Sequence, residues 1–174
     1  MARITHADLI LDALVTAQRA VTGYRSPTSS TAGITVYDGP EALLTQDRGD
    51  SHVIIGYGGE DQWDPGDPGS DAVQSGISIR AIATTSPKAE EGTIECFAQV
   101  VSGDMDVSAV RTAVVAIGTS VDGTLRTDPK IGIAVSGAAQ VLWTQVTGVA
   151  VRVYLLGTQL VGELRFTLTY SART

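Results

Sequence analysis

Residues 93–129, TIECFAQVVSGDMDVSAVRTAVVAIGTSVDGTLRTDP, decide the fold. In the first part Ile94, Cys96, Ala98 and Val100 alternate with Glu95, Phe97, Gln99 and Val101, the period of two that a pleated strand imposes. One face of that strand is uniformly apolar. In the turn that follows, SGDMD, Asp106 stands where a helix wants its N-cap. Val110, Ala113, Val114, Ile117 and Val121 then recur at three- and four-residue steps, which puts them on one side of a helix facing the sheet. Gly123 suits a left-handed position closing that helix, and Asp128-Pro129 cannot continue it.

Upstream, Leu9, Ile10, Ala13, Leu14, Ala17 and Val21 form a second helical stripe over residues 5–22, with Thr5 as N-cap, Asp8 three positions on, and Gly23 as stop. A polar loop, residues 25–32, precedes short apolar runs at 34–37 and 53–57, with one helical turn expected at 41–44. Residues 77–84 and 93–101 flank SPKAEEG as an antiparallel pair. Residues 131–136 read as irregular chain or a short edge strand. Three β-rich runs close the sequence, at 141–146, 149–156 and 162–170. In the last, Leu164, Phe166, Leu168 and Tyr170 alternate with Arg165, Thr167 and Thr169, as a strand with one wet face does. The middle run, VAVRVYLL, is apolar on both faces apart from Arg152, so it is either covered on both sides or meets another subunit. This order predicts an α+β fold: a mostly antiparallel sheet with two amphipathic helices on one face, in a single domain spanning residues 1–174.

The length of 174 residues suits one core, and a hydrophobic content of 43% is enough to fill it. There is no apolar run of about eighteen residues and no basic segment leading into an apolar one, so neither a spanning helix nor a secretion signal is expected, and the cytoplasm is the expected place of synthesis. Cys96, the one cysteine, reads as a small buried hydrophobe. The net charge of −7 argues against general nucleic-acid binding, which depends on Lys and Arg neutralising phosphates. That charge is concentrated: residues 38–71 hold nine acids and one base, and the rest of the chain is close to neutral. Within it, residues 58–71 are an acidic Pro/Gly-rich loop whose one large apolar side chain, Trp63, is either an interface anchor or a lid on its own domain.

Catalytic chemistry finds little support. His6 and His52 lie in unlike settings, and one cysteine with two histidines is a poor basis for a zinc site. No serine occupies a Gly-x-Ser-x-Gly elbow. Gly56-Tyr57-Gly58-Gly59 follows a strand as phosphate loops do, but lacks the Gly-Lys-Ser/Thr ending and runs into Glu60, Asp61 and Asp64. Those acids do not follow calcium-loop spacing. Glu90, Glu91, Asp104 and Asp106 fall in expected turns, where water is at hand and capping accounts for Asp106. The reading is of a protein without catalytic residues, metal or cofactor, whose work is self-association.

Several weak motifs, taken in order, resemble the tail terminator proteins of long-tailed bacteriophages that infect actinobacteria. They are Glu91-Gly92-Thr93-Ile94, Ser102-Gly103-Asp104, Val110-Arg111 and Leu125-Arg126-Thr127-Asp128-Pro129. The likeness extends to Val36-Tyr37-Asp38-Gly39-Pro40, Val53-Ile54-Ile55-Gly56-Tyr57, Val141-Leu142-Trp143 and Phe166-Thr167-Leu168-Thr169-Tyr170, and so covers nearly the whole chain. It departs at VRVYLLGT, where the family is more polar and Gln-rich. The resemblance implies a homohexameric ring at the tail-neck junction of the virion, assembled in the host cytoplasm. Such a ring caps the tail tube, ends its polymerisation and offers its other face to the head-tail connector, while genomic DNA passes through without specific binding. Expected contact residues are Glu60, Asp61, Trp63, Asp64 and Asp67 in the acidic loop, and Val149, Val151, Val153 and Leu155 in the apolar run. Other head-tail joining, head-completion or tail tube proteins are the rival class, and a small hydrolase a more distant one.

Overall fold

A computed structural model describes residues 6–39, 51–57, 77–81, 89–131 and 140–173. The expected helical turn at 41–44, the acidic loop 58–71, Thr5 and residues 132–136 lie outside the described residues. The elements in chain order are α1 (His6–Arg19), β1 (Tyr24–Arg25), β2 (Ile34–Asp38), β3 (His52–Ile55), β4 (Ile77–Ala81), β5 (Ala89–Ser102), α2 (Val107–Thr127), β6 (Gln140–Leu156) and β7 (Gln159–Arg173). The fold is α+β, with a mostly antiparallel sheet as expected.

The strands lie in the order β1-β2-β3-β5-β7-β6, and β4 also pairs β5. β5 is the spine. One of its edges carries β7 along its full length, from Ala89 opposite Arg173 to Ser102 opposite Leu160. The other is shared end to end by β4, on residues 90–94, and β3, on residues 96–99. The β1/β2 and β2/β3 pairs are parallel; all the others are antiparallel.

Both helices contact the same side of the sheet, α1 over β1, β2, β3 and β5, and α2 over β5, β7 and β6. The main core lies between them and the strands: Val36, Val53, Ile55, Ile94, Cys96, Ala98, Leu164, Phe166, Leu168 and Tyr170 point up, and Ile10, Leu14, Val114, Ile117 and Val121 point down. This is the alternation read from the sequence. Asp106 caps α2 as expected, its carboxylate accepting from the backbone N–H of Ser108 at 2.9 Å and Ala109 at 3.0 Å. Two glycines let α2 sit close to the sheet. A Cβ on Gly162 would stand 2.7 Å from Val110 Cγ1, and one on Gly118 would stand 2.5 Å from Leu164 Cδ2.

Three expectations are corrected. Gly123 does not end α2, which runs on to Thr127 because Leu125 extends the buried stripe by one more turn. Asp128 ends it in extended geometry, its N–H donating to the Thr124 carbonyl. The runs 141–146 and 149–156 are one strand, β6, with irregularities at Val141/Trp143 and Val146/Gly148. Thr147-Gly148, read as a break, is a bulge: it adds a residue, bends the strand and leaves the ladder intact on both sides. In α1 the buried stripe is Ala7, Ile10, Leu11, Leu14, Val15 and Gln18, rotated from the expected one, and Leu9 is exposed.

Candidate interaction surface

The last hairpin positions the surface. Leu156 pairs with Gln159, so Gly157-Thr158 is a two-residue loop. Gly157 has φ +60°, and Thr158 is not among the residues with positive φ, the pattern of a type II′ turn. Counting back from that turn sets the register of β6 on β7: Leu155 opposite Leu160, Val153 opposite Gly162, Val151 opposite Leu164, and Val149 opposite Phe166. Directly opposed residues share a face. Val149, Val151, Val153 and Leu155 therefore all stand on the helix side.

They are not covered there. Val149 is 64% exposed, Leu155 55% and Val151 40%, with Val153 half-buried. β6 is the terminal strand, and among the described residues nothing pairs with its outer edge. Among the described residues, then, nothing covers VAVRVYLL on the helix side. α2 adds to the exposed area. Ser120 bonds Gln18 of α1, and Val115 is about 140° further round the helix axis. The exposed Val115 thus lies on the flank of α2 turned away from α1, toward the β6 end.

The opposite face of β6 carries a satisfied polar cluster, Arg152 and Tyr154, between the exposed Trp143 and Leu156. Arg152 lies opposite Glu163, its Nε donating to Oε2, and Tyr154 OH donates to Oε1 at 2.6 Å. The guanidinium also stands 5.1 Å from the centre of the Tyr154 ring. Glu163 is only 6% exposed although it is on the sheet face without helices. The carboxylate raises the Arg152 pKa further above its ordinary value through that hydrogen bond. Burial, then the bond to Glu163, pushes the Tyr154 phenol up to about 12. Sequence reading singled out Arg152 alone and not its partners. The Gly-Thr turn was the signal, since it sets Arg152 opposite Glu163.

The far end of the sheet is treated differently. Arg19, at the end of α1, donates from Nε at 3.2 Å and Nη2 at 3.0 Å to the Val36 carbonyl of β2. Arg25 of β1 donates to Thr35 Oγ1 and to the carbonyls of Ser29 and Thr31, holding the loop before β2 against that end.

The remaining sequence candidates scatter. His52 is buried between the rings of Tyr37, at 5.9 Å, and Phe97, at 6.1 Å, on the side of the sheet opposite the helices. Tyr37 also packs there against Ile54, Tyr57 and Phe97. Burial pushes the Cys96 thiol up to about 12. Glu90 accepts from Tyr170 OH at 2.8 Å, and Asp106 serves the helix cap. Among the described residues no three His, Cys, Asp or Glu gather as metal ligands, and no helix is long and apolar enough to cross a membrane. Glu60, Asp61, Trp63, Asp64 and Asp67 lie outside the described residues. No family model matches the chain, and no curated protein matches it in sequence.

Proposed function

We propose that the protein is a structural virion component, a tail terminator that assembles as a ring, caps the tail tube, ends its polymerisation and joins it to the head connector. The observation that supports this reading is the uncovered apolar helix-side flank of β6, with Val149, Val151 and Leu155 exposed in a chain whose other apolar strand residues are mostly buried. An exposed apolar strand of this kind is a liability in a monomer and an asset in an assembly. In the ring it packs laterally against a neighbouring subunit, and Val153 contributes from the half-buried position between them. The acidic loop, with Glu60, Asp61, Asp64 and Asp67 around Trp63, faces a partner such as the tube subunit or connector, and its negative charge disfavours adhesion of passing DNA.

Electron microscopy of the purified protein, alone and mixed with the tail tube protein of the same virus, tests the reading. The expected result is rings at tube ends and tubes that stop growing. Long cylinders formed by this chain alone would make it a tube subunit, and tubes that lengthen unchanged in its presence would overturn the terminator role.

A further inference from the structure

The two ends of the sheet differ in how their edges are protected. At the β1/β2 end a guanidinium occupies the Val36 carbonyl, a second one ties down the adjoining loop, and the outermost strand is two residues long. At the β6 end the outermost strand is 17 residues long. It carries no proline and no lysine, two of the devices that blunt an edge, and its irregularities all lie before Val149. Its one charged residue, Arg152, is engaged by Glu163 of its own chain. Beyond the bulge, residues 149–156 alternate regularly and present about 25 Å of edge. Head-to-tail extension of the sheet would set this long edge against two residues of β1 beside a carbonyl already bonded to Arg19. Among the described residues, only another β6 offers a terminal edge of matching length.

We infer that, away from the tube, two copies of this chain pair through β6, antiparallel about a two-fold axis normal to the sheet. Such an axis keeps the helices of both copies on one side of the joined sheet. Val149, Val151 and Leu155 of each copy then meet on that side, with the two Val115 flanks of α2 above them. The interface is isologous, so the same patch serves both copies and association stops at two. With its single charge neutralised at home, β6 brings no like-charge repulsion to the axis. The dimer is a storage form: it masks the flank that the tail-end reading uses, and pairing must be released before a ring can form. This inference rests on edge geometry and can fail while that reading survives.

Sedimentation velocity of the full chain at tens of micromolar, with hydrogen exchange of the β6 amides, tests it. The expected result is a two-chain mass for the wild type, with amides of residues 149–156 protected roughly ten-fold or more beyond those of a dissociated sample. Val149→Lys and, separately, Leu155→Lys should give one-chain mass with an unchanged far-UV circular dichroism spectrum, since both side chains are more than half exposed; Thr119→Lys, on the outer surface of α2, should leave the dimer intact. A wild type that is monomeric under these conditions, that closes directly into a larger ring, or that remains dimeric with both β6 lysine variants would overturn the proposal. Adding tube protein separates the two readings: capped tubes from a monomeric wild type would sink the dimer alone, and a β6 dimer that never caps tubes would sink the terminator alone.

Discussion

Arg152 of β6 meets Glu163 of β7 directly across the last ladder of the sheet, and the carboxylate is buried while the guanidinium is about one-third exposed. Removing one partner is therefore not equivalent to removing the other. Arg152→Ala strands a buried charge with Tyr154 as its remaining partner among the bonds described, and should cost about 2–4 kcal/mol in urea unfolding. Glu163→Gln keeps the shape and leaves the cation within reach of water, so about 1–2 kcal/mol is expected. The double variant Arg152→Met/Glu163→Leu should recover most of the loss, because an apolar pair of similar volume leaves no stranded charge. A double variant worse than Arg152→Ala would show that the trio contributes more than its ion pair.

Alkaline pH should weaken the fold in two overlapping steps. Cys96 is raised from 9.0 to about 12 and Tyr154 from 10.0 to about 12, the first cause in each case being burial of a group that would become charged. A pKa raised in the folded state means that the unfolded chain loses its proton first. The stabilisation is complete below the unfolded values, and it falls from about pH 9 for Cys96 and about pH 10 for Tyr154 until pH passes about 12. Unfolding midpoints measured up this range should decline. Cys96→Ala should remove the earlier part of the decline, and Tyr154→Phe the later. An equal slope in Cys96→Ala and wild type would contradict the assignment.

The two glycines beneath and within α2 should respond differently to alanine. A Cβ on Gly162 would lie 2.7 Å from Val110 Cγ1 and 3.3 Å from the Val110 carbonyl, so the helix backbone itself must move. A cost of about 1–3 kcal/mol is expected. On Gly118 the close atom is the end of the Leu164 side chain, which can turn aside, and alanine gains about 1 kcal/mol of helix propensity over glycine. Gly118→Ala should be near neutral in thermal melts. If both substitutions cost the same, the close approach of α2 to β7 is not what fixes these positions.

What could be read from the sequence follows the range of the forces involved. The strand-turn-helix of residues 93–129 was legible because Asp106 and the 110/113/114/117/121 spacing act within a few turns of one element, although Ala113 of that stripe is exposed. The end of α2 was missed because a mid-helix glycine and a terminal one look alike locally; the burial of Leu125 against the core decides. β6 was divided at Thr147-Gly148 because a bulge and a turn draw on the same residues. Val149, Val151, Val153 and Leu155 were marked from their double-sided apolar run. Which flank they occupy, and that nothing among the described residues covers it, depended on the partner strand. The Arg152, Tyr154 and Glu163 trio is a product of register alone.

Gly92 and Tyr170 give a last test of how the long β5/β7 ladder is held. They are direct partners, and a Cβ on Gly92 would fall 2.5 Å from the tyrosine oxygen and 2.6 Å from Cε1 and Cζ, so the ring lies across the glycine as a lid. Tyr170 is fully buried and its hydroxyl is tied to Glu90, which leaves the ring nowhere to go. Gly92→Ala should therefore cost about 2–3 kcal/mol, an overpacking penalty. Tyr170→Phe removes only the hydroxyl bond, about 1 kcal/mol, and should not rescue Gly92→Ala because the ring carbons clash as well. Tyr170→Leu is costly alone, yet paired with Gly92→Ala it should cost clearly less than the sum of the two, since the methyl then enters space the ring has left. Strict additivity of that pair in urea titrations would mean that the glycine is required by its backbone and not by the aromatic ring above it.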